Sequence, residues 1–188
     1  MIVSLLTGAK PYDCGMFFTR SLSTQTEVFK NPNAAYLASA AGATVPSPLN
    51  LGIENSRRFR ALPAYAMLRA EGREGIAQML ARMASLARGV SAFLRDSEHY
   101  DWLPEETGDV EDVFIIVLFR AKDETLNDEL VAKINGTRDM YVSGTSWNGR
   151  KAVRLAVSNY SVDVARDLEV VTRILADVAE GRSQVRES

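Results

Sequence analysis

The clearest pattern in the chain is the alternation in Ala152-Val153-Arg154-Leu155-Ala156-Val157-Ser158-Asn159. Val153, Leu155 and Val157 fall on one side, and Ala152, Arg154, Ala156 and Ser158 on the other. A period of two predicts a β-strand with one buried face. Val113 to Phe119 is a continuous apolar run of strand length, as expected for a central strand. Met140 to Ser143 is a further strand. It leads through Asn148-Gly149, a strong two-residue hairpin signal, into the Arg154 strand, so these two strands should be antiparallel neighbours. Met16-Phe17-Phe18 is a shorter strand candidate.

Between these runs the apolar spacing changes to threes and fours. Arg58 to Glu71 predicts a helix carrying Phe59, Leu62, Tyr65 and Leu68, stopped by Gly72. Arg73 to Arg95 predicts a second, with Ile76, Leu80, Met83, Ala87, Val90 and Leu94 in one stripe. Asp123 to Asn135 is helical with Leu126, Leu130, Val131 and Ile134 on one face, and Gly136 stands at the expected left-handed position after it. Val164 to Ala179 is the last helix, with Leu168, Val171, Leu175 and Val178 facing inward. Residues 21–32 are placed in a short helix. Asn33 to Asn50 is small, polar and punctuated by Pro and Gly, and reads as a mobile loop.

Strand, helix, hairpin and helix give an α/β fold with three antiparallel strands and helices packed on one face. It covers residues 73–188 as a small domain with a polar tail. Residues 1–72 do not make a second domain by themselves and look like the edge of a larger one.

Composition narrows the function classes. The 188 residues have a formal charge of −2, which gives no footprint for nucleic acid or an anionic membrane surface. No apolar run approaches the ~20 residues of a membrane span. One cysteine, Cys14, rules out an internal disulfide and suits the reducing cytoplasm. With one histidine, His99, no zinc-type cluster is expected, and no metal site is assigned. Arg154 is the chemically unusual residue. Its small neighbours leave room above the sheet, and its planar fork suits bidentate contact with a carboxylate. An arginine on a solvated sheet face is the competing reading from the strand alone.

Five stretches together resemble one family. They are Pro11-Tyr12-Asp13-Cys14-Gly15; Ala35-Tyr36-Leu37; Ser56-Arg57-Arg58-Phe59-Arg60; Leu68-Arg69-Ala70-Glu71-Gly72 with Gly75; and Ser143-Gly144-Thr145 through Trp147 to Arg154-Leu155-Ala156-Val157-Ser158-Asn159. In this order and spacing they resemble the group II pyridoxal-phosphate-dependent amino-acid decarboxylases, which include the aromatic-L-amino-acid, tyrosine, glutamate and diaminobutyrate enzymes. The resemblance runs from about Pro11 to the last helix.

It implies the fold-type-I architecture. Residues 1–72 would be the end of the PLP-binding large domain with its catalytic loop and linker helix, and residues 73–188 the C-terminal small domain. It implies carboxy-lyase chemistry, amino acid to amine plus carbon dioxide, with pyridoxal 5′-phosphate as electron sink on a lysine. That lysine sits in a His-Lys pair shortly before the Pro-Tyr-Asp-Cys-Gly motif. The family spacing, counted back from Pro11, reaches Leu5-Leu6, and Lys10 is too close to replace it. The chain is therefore expected to lack the Schiff-base lysine and to be inactive alone. Tyr36 matches the loop phenol that returns a proton to Cα after carbon dioxide leaves. Arg154 matches the arginine that pairs with a substrate carboxylate. Trp147 and Thr145 are candidates for the substrate side. The family works as a dimer, so the expected partner is a second copy or a full-length decarboxylase subunit. The alternative is a non-catalytic truncated chain that associates with such a subunit.

Overall fold

The structure is a computed structural model that describes residues 2–3, 16–30, 50–53, 58–59, 61–103 and 108–182. The chain divides into two compact units, Met1–Ala70 and Glu71–Ser188.

In the first unit, β1 (Ile2–Val3) and β2 (Met16–Phe17) pair antiparallel, Ile2 opposite Phe17. Helix α1 covers Leu22–Phe29 and starts because Ser21, in extended conformation, accepts the Thr24 N–H on its hydroxyl. It buries none of its residues. The Gln25 amide donates to the Leu51 carbonyl at 2.9 Å. Phe18, Val28, Ile53, Phe59 and Tyr65 are each more than half exposed. The proposed stripe Phe59, Leu62, Tyr65 and Leu68 is thus open to solvent, and Ala64 is the buried residue of that turn.

Helix α2 spans Ala61–Arg95, broken at Gly72, where φ is 63° and ψ −174°. That region is open in practice to glycine alone, so the break expected from sequence falls where only this residue allows it. Nothing lies within 4 Å of where a Cβ would stand, so the requirement comes from the backbone and not from crowding.

The second unit holds the core. Strands β3 (Tyr100–Leu103), β4 (Ile116–Ala121), β5 (Ser143–Trp147) and β6 (Arg150–Ala156) form one antiparallel sheet in the order β3-β4-β6-β5. The sheet has four strands where the sequence indicated three. Tyr-Asp-Trp-Leu is too short to show a period, and only its pairing to β4, Tyr100 opposite Ala121, makes it a strand. The last strand also begins later than expected: Met140–Val142 precede β5, which starts at Ser143.

One sheet face carries Tyr100, Trp102, Val117, Phe119, Val153 and Leu155, all buried. Against it pack Met83, Ala87, Val90 and Leu94 of α2, Leu130 and Ile134 of α3 (Glu124–Gly136), and Leu175 and Val178 of α4 (Val164–Ala179). Ile76 and Leu80, at the start of the predicted stripe, are only partly buried. Helices α3 and α4 are capped by aspartates that the sequence reading did not single out as caps. Asp123 accepts the Leu126 N–H, and Asp163 accepts the Arg166 N–H. Helix α3 ends differently from expectation. Gly136 stays helical, Thr137 is the C-cap, and Arg138 takes the left-handed position at φ 61°. At the hairpin tip Asn148 and Gly149 have φ of 50° and 73°, as a two-residue primed turn requires.

Inside the core the Tyr100 ring meets Phe119 edge-on, centroids 5.7 Å apart at 88°. Its hydroxyl donates to the Leu175 carbonyl at 2.8 Å, tying β3 to α4. Burial raises the phenol well above its ordinary value of 10.0.

Two stability outcomes follow from these contacts. Tyr100→Phe removes this hydrogen bond while the Leu175 carbonyl keeps its helical partner, and denaturant unfolding should show a loss of about 0.5–1.5 kcal/mol. The unfolded chain releases this proton above about pH 10 while the folded chain holds it, so the parent should lose stability as pH rises past that point. The variant should show a shallower alkaline slope, and equal slopes would remove this account of Tyr100. Gly72→Ala should cost about 1–3 kcal/mol in the same assay, and no loss would mean that the chain tolerates a side chain there.

Candidate carboxylate-binding site

The face of the sheet away from the helices is set by the same pleat. Leu103, Leu118, Arg154 and Ser143 stand in one row across β3, β4, β6 and β5. Ala152 and Ala156 flank Arg154 along its own strand, and Thr145 stands opposite Ala152. The next row holds Asp101 opposite Arg120. Leu103, Arg120 and Ala152 are each 3% exposed, while Ile116, Leu118, Ala156 and Ser143 are half-buried. The face is therefore buried at Leu103, Arg120 and Ala152 and partly covered at Arg154, Leu118, Ala156 and Ser143.

Arg154 is itself half-buried. Its carbonyl accepts the Ser143 hydroxyl at 3.4 Å, but its guanidinium has no hydrogen bond or ion pair among the described residues. Arg73, Arg138 and Arg173 of the same unit also have no such partner among the described residues, but they are exposed, and several other arginines are tied down. Arg88 pairs with Glu111 at 2.8 Å and donates to the Val113 carbonyl, Arg166 pairs with Asp167, and Arg182 with Asp177. A guanidinium has five donors and no acceptor. On a half-buried residue, with no counter-ion among the described residues and with alanines and a serine around it, this one has the donors to take a planar anion in two parallel hydrogen bonds.

The hairpin carrying it is anchored from behind by α3. Asn127 accepts the Ala121 N–H at 3.0 Å and donates to the Lys151 carbonyl at 3.2 Å. Asn135 donates to the Val142 carbonyl at 3.0 Å and accepts its N–H at 2.8 Å. Sequence reading missed both residues. The available signal was an asparagine at either end of an otherwise amphipathic helix.

Of the other sequence candidates, Ser143, Thr145 and Trp147 share the face of Arg154 by alternation along β5. Trp147 pairs with Arg150 at the turn. It lies about 13 Å along the strand from Ser143, too far to share one carboxylate with Arg154. Tyr36, the loop around it, Asp13, Cys14, Arg57, Arg60 and the tail from Ser183 lie outside the described residues. His99 is exposed.

The described residues do not fit pyridoxal phosphate. A Schiff-base lysine must be desolvated or beside another cation. Lys30 is exposed, Lys122 donates to the Ser97 carbonyl, Lys133 pairs with Glu129 and Lys151 with Asp128. Among the described residues no group of three His, Cys, Asp or Glu is placed to hold a metal, and no helix is long and apolar enough to cross a membrane. A groove of 520 Å³ lies elsewhere, lined by Lys122, Asp123, Glu129 and Lys133 at α3 and by Val178 and Gly181 at the end of α4. Its lysines are engaged within the chain, and Arg154 is not part of it.

No family model matches the chain. Solved structures do match in fold. Oryza sativa TDC, solved with PLP and tryptamine, aligns at TM-score 0.68 and 20% identity over 85% of this chain and 34% of that one. The glutamate decarboxylase domain of the diaminobutyrate-pyruvate transaminase and L-2,4-diaminobutyrate decarboxylase of Vibrio parahaemolyticus aligns at TM-score 0.53 and 20% identity, covering 66% of this chain and 27% of that one. Rhodiola rosea 4-hydroxyphenylacetaldehyde synthase aligns at TM-score 0.61 and 18% identity, covering 76% and 31%. The chain thus has the fold of part of these proteins and spans about a third of their length.

Proposed function

We propose that this chain is the C-terminal part of a PLP-dependent L-amino-acid decarboxylase that works as a dimer in the cytoplasm. Residues 1–72 are the end of its large domain and residues 73–188 its small domain. Arg154 binds the carboxylate of the amino-acid substrate. The observation that carries the reading is the half-buried Arg154 guanidinium without a counter-ion, on a fold found in solved decarboxylases. In the whole enzyme PLP supplies the electron sink for the carbanion. This chain's own work is to fix the substrate through Arg154 and to supply the Tyr36 phenol, a proton donor that needs no charge of its own. The residues that hold the cofactor lie outside the described residues of this chain. The spread of names among the structural neighbours leaves the choice among aromatic, acidic and diamino acids to residues of the large domain.

A second reading has one observation in its favour. The first unit exposes Phe18, Val28, Ile53, Phe59 and Tyr65, as expected of a surface made to be covered. A non-catalytic chain that docks on a full-length decarboxylase subunit would use it so. Co-expression with such a subunit tests this reading, which expects a stable mixed complex and falls if none forms.

The carboxylate site is tested on the full chain labelled with ¹⁵N-arginine. The Arg154 Nε–Hε resonance should shift as L-tryptophan, L-glutamate or L-2,4-diaminobutyrate is added. Two charge-assisted hydrogen bonds at about 1.5–3 kcal/mol each put the loss of affinity in Arg154→Gln at tenfold or more. Undiminished binding by that variant would end the assignment. The missing lysine is tested separately. Incubation with PLP and borohydride should leave the chain's mass unchanged, and a stoichiometric adduct would show a Schiff-base lysine within it.

A further inference from the structure

We propose that Asn127 and Asn135 are positioning residues for Arg154: together they hold the β5–β6 hairpin on α3 so that the guanidinium is set before any carboxylate arrives. The inference rests on the carboxylate-binding reading of Arg154.

The geometry of the two side chains carries it. The β4–β6 ladder pairs Phe119 with Val153, which brings Ala121 and Lys151 level two residues further on. There the Asn127 carboxamide stands between the strands, its oxygen on the Ala121 N–H and its nitrogen on the Lys151 carbonyl. It takes the place of a backbone rung. Asn135 does the same for the other strand, pairing both polar groups of Val142, the residue before β5. Since Ser143 is opposite Arg154, Val142 is level with Leu155.

The spans agree. From Asn127 to Asn135 is eight residues of helix, ~12 Å. From Lys151 to Leu155 is four residues of strand, ~13 Å. Helix α3 therefore grips the hairpin at two levels, and Arg154 lies between them. Ion pairs reinforce the Asn127 end, Lys151 with Asp128 at 2.7 Å and Arg150 with Glu124 at 3.6 Å. They are exposed and contribute little by comparison. The Asn135 end has the greater effect on the site. Val142 is 1% exposed, so its N–H and C=O have no water to turn to. Without Asn135 the entry to β5 must rearrange, and Ser143, opposite Arg154, moves with it.

The full 188-residue chain with ¹⁵N-arginine gives two readouts: the position of the Arg154 Nε–Hε resonance in the free protein, and its titration with sodium propionate at constant ionic strength. The variants are Asn127→Ala, Asn135→Ala, and the milder Asn127→Ser and Asn135→Ser, which keep a short uncharged polar group. Tyr100→Phe is the control, since it loses a core hydrogen bond on β3 without touching the hairpin. The alanine variants should move the free resonance and weaken propionate binding at least fivefold. The serine variants should fall between them and the parent, and Tyr100→Phe should leave the free resonance in place and change propionate affinity less than twofold. Asparagine variants that match the parent in both readouts, or a Tyr100→Phe effect of equal size, overturn the proposal. Alanine variants that fail to fold leave the serine pair to decide it. If the parent's Arg154 resonance ignores propionate, the carboxylate reading falls by itself, because the free resonance still scores the positioning.

Discussion

Burial of one sheet face under three helices is the constraint on which the second unit depends. Tyr100, Trp102, Val117, Phe119, Val153 and Leu155 all lie on that face. At about 1.5–3 kcal/mol for each large apolar side chain removed from water, no hydrogen bond at about 1 kcal/mol can compete for the orientation of the strands. A slip of one residue in β6 would turn Arg154 into the core and Leu155 out. Arg154 therefore stands on the open face because its neighbours on either side are pinned to the other.

Burial sets the face but does not by itself set the angle or register of the hairpin. Those depend on polar groups that cannot be left unpaired. The ladder between β4 and β6 ends before Ala121 and Lys151, and the backbone groups beyond it are served by the Asn127 side chain. Val142, buried and outside the strand, is served by Asn135. Apolar packing holds α3 against the sheet, and the two amides fix where along the sheet it lies. A site that must present a fork within a few tenths of an ångström needs the second kind of restraint as well as the first.

The two units differ in kind. The second has a continuous core with capped helices, and its buried tyrosine hydroxyl is hydrogen-bonded. The first has a helix that buries nothing and a row of exposed aromatic and aliphatic side chains. Amphipathic sequence is present in both, but among the described residues the second unit supplies the surface that its apolar faces need and the first leaves Phe18, Val28, Ile53, Phe59 and Tyr65 exposed.

The sequence by itself determined the elements whose reason is local. Period-two alternation made β6 legible, and the Asn148-Gly149 pair made its hairpin legible. The three-and-four spacing of Met83, Ala87, Val90 and Leu94 showed α2, and Gly72 showed its break, because the backbone angles there exclude a side chain. Arg154 stood out by its small neighbours, but the strand alone suited a solvated arginine as well, and the family resemblance was what pointed to a carboxylate. Non-local matters required the tertiary structure. Tyr100–Leu103 is a strand only because β4 pairs with it. Arg138 rather than Gly136 takes the left-handed turn after α3, since the hydrogen bonds of Thr137 and Asn135 carry the helix one residue further than the glycine suggested. The absence of a counter-ion for Arg154 among the described residues, and the two asparagines behind it, depend on partners far along the chain. Residue order does not display such distances until the sheet has formed.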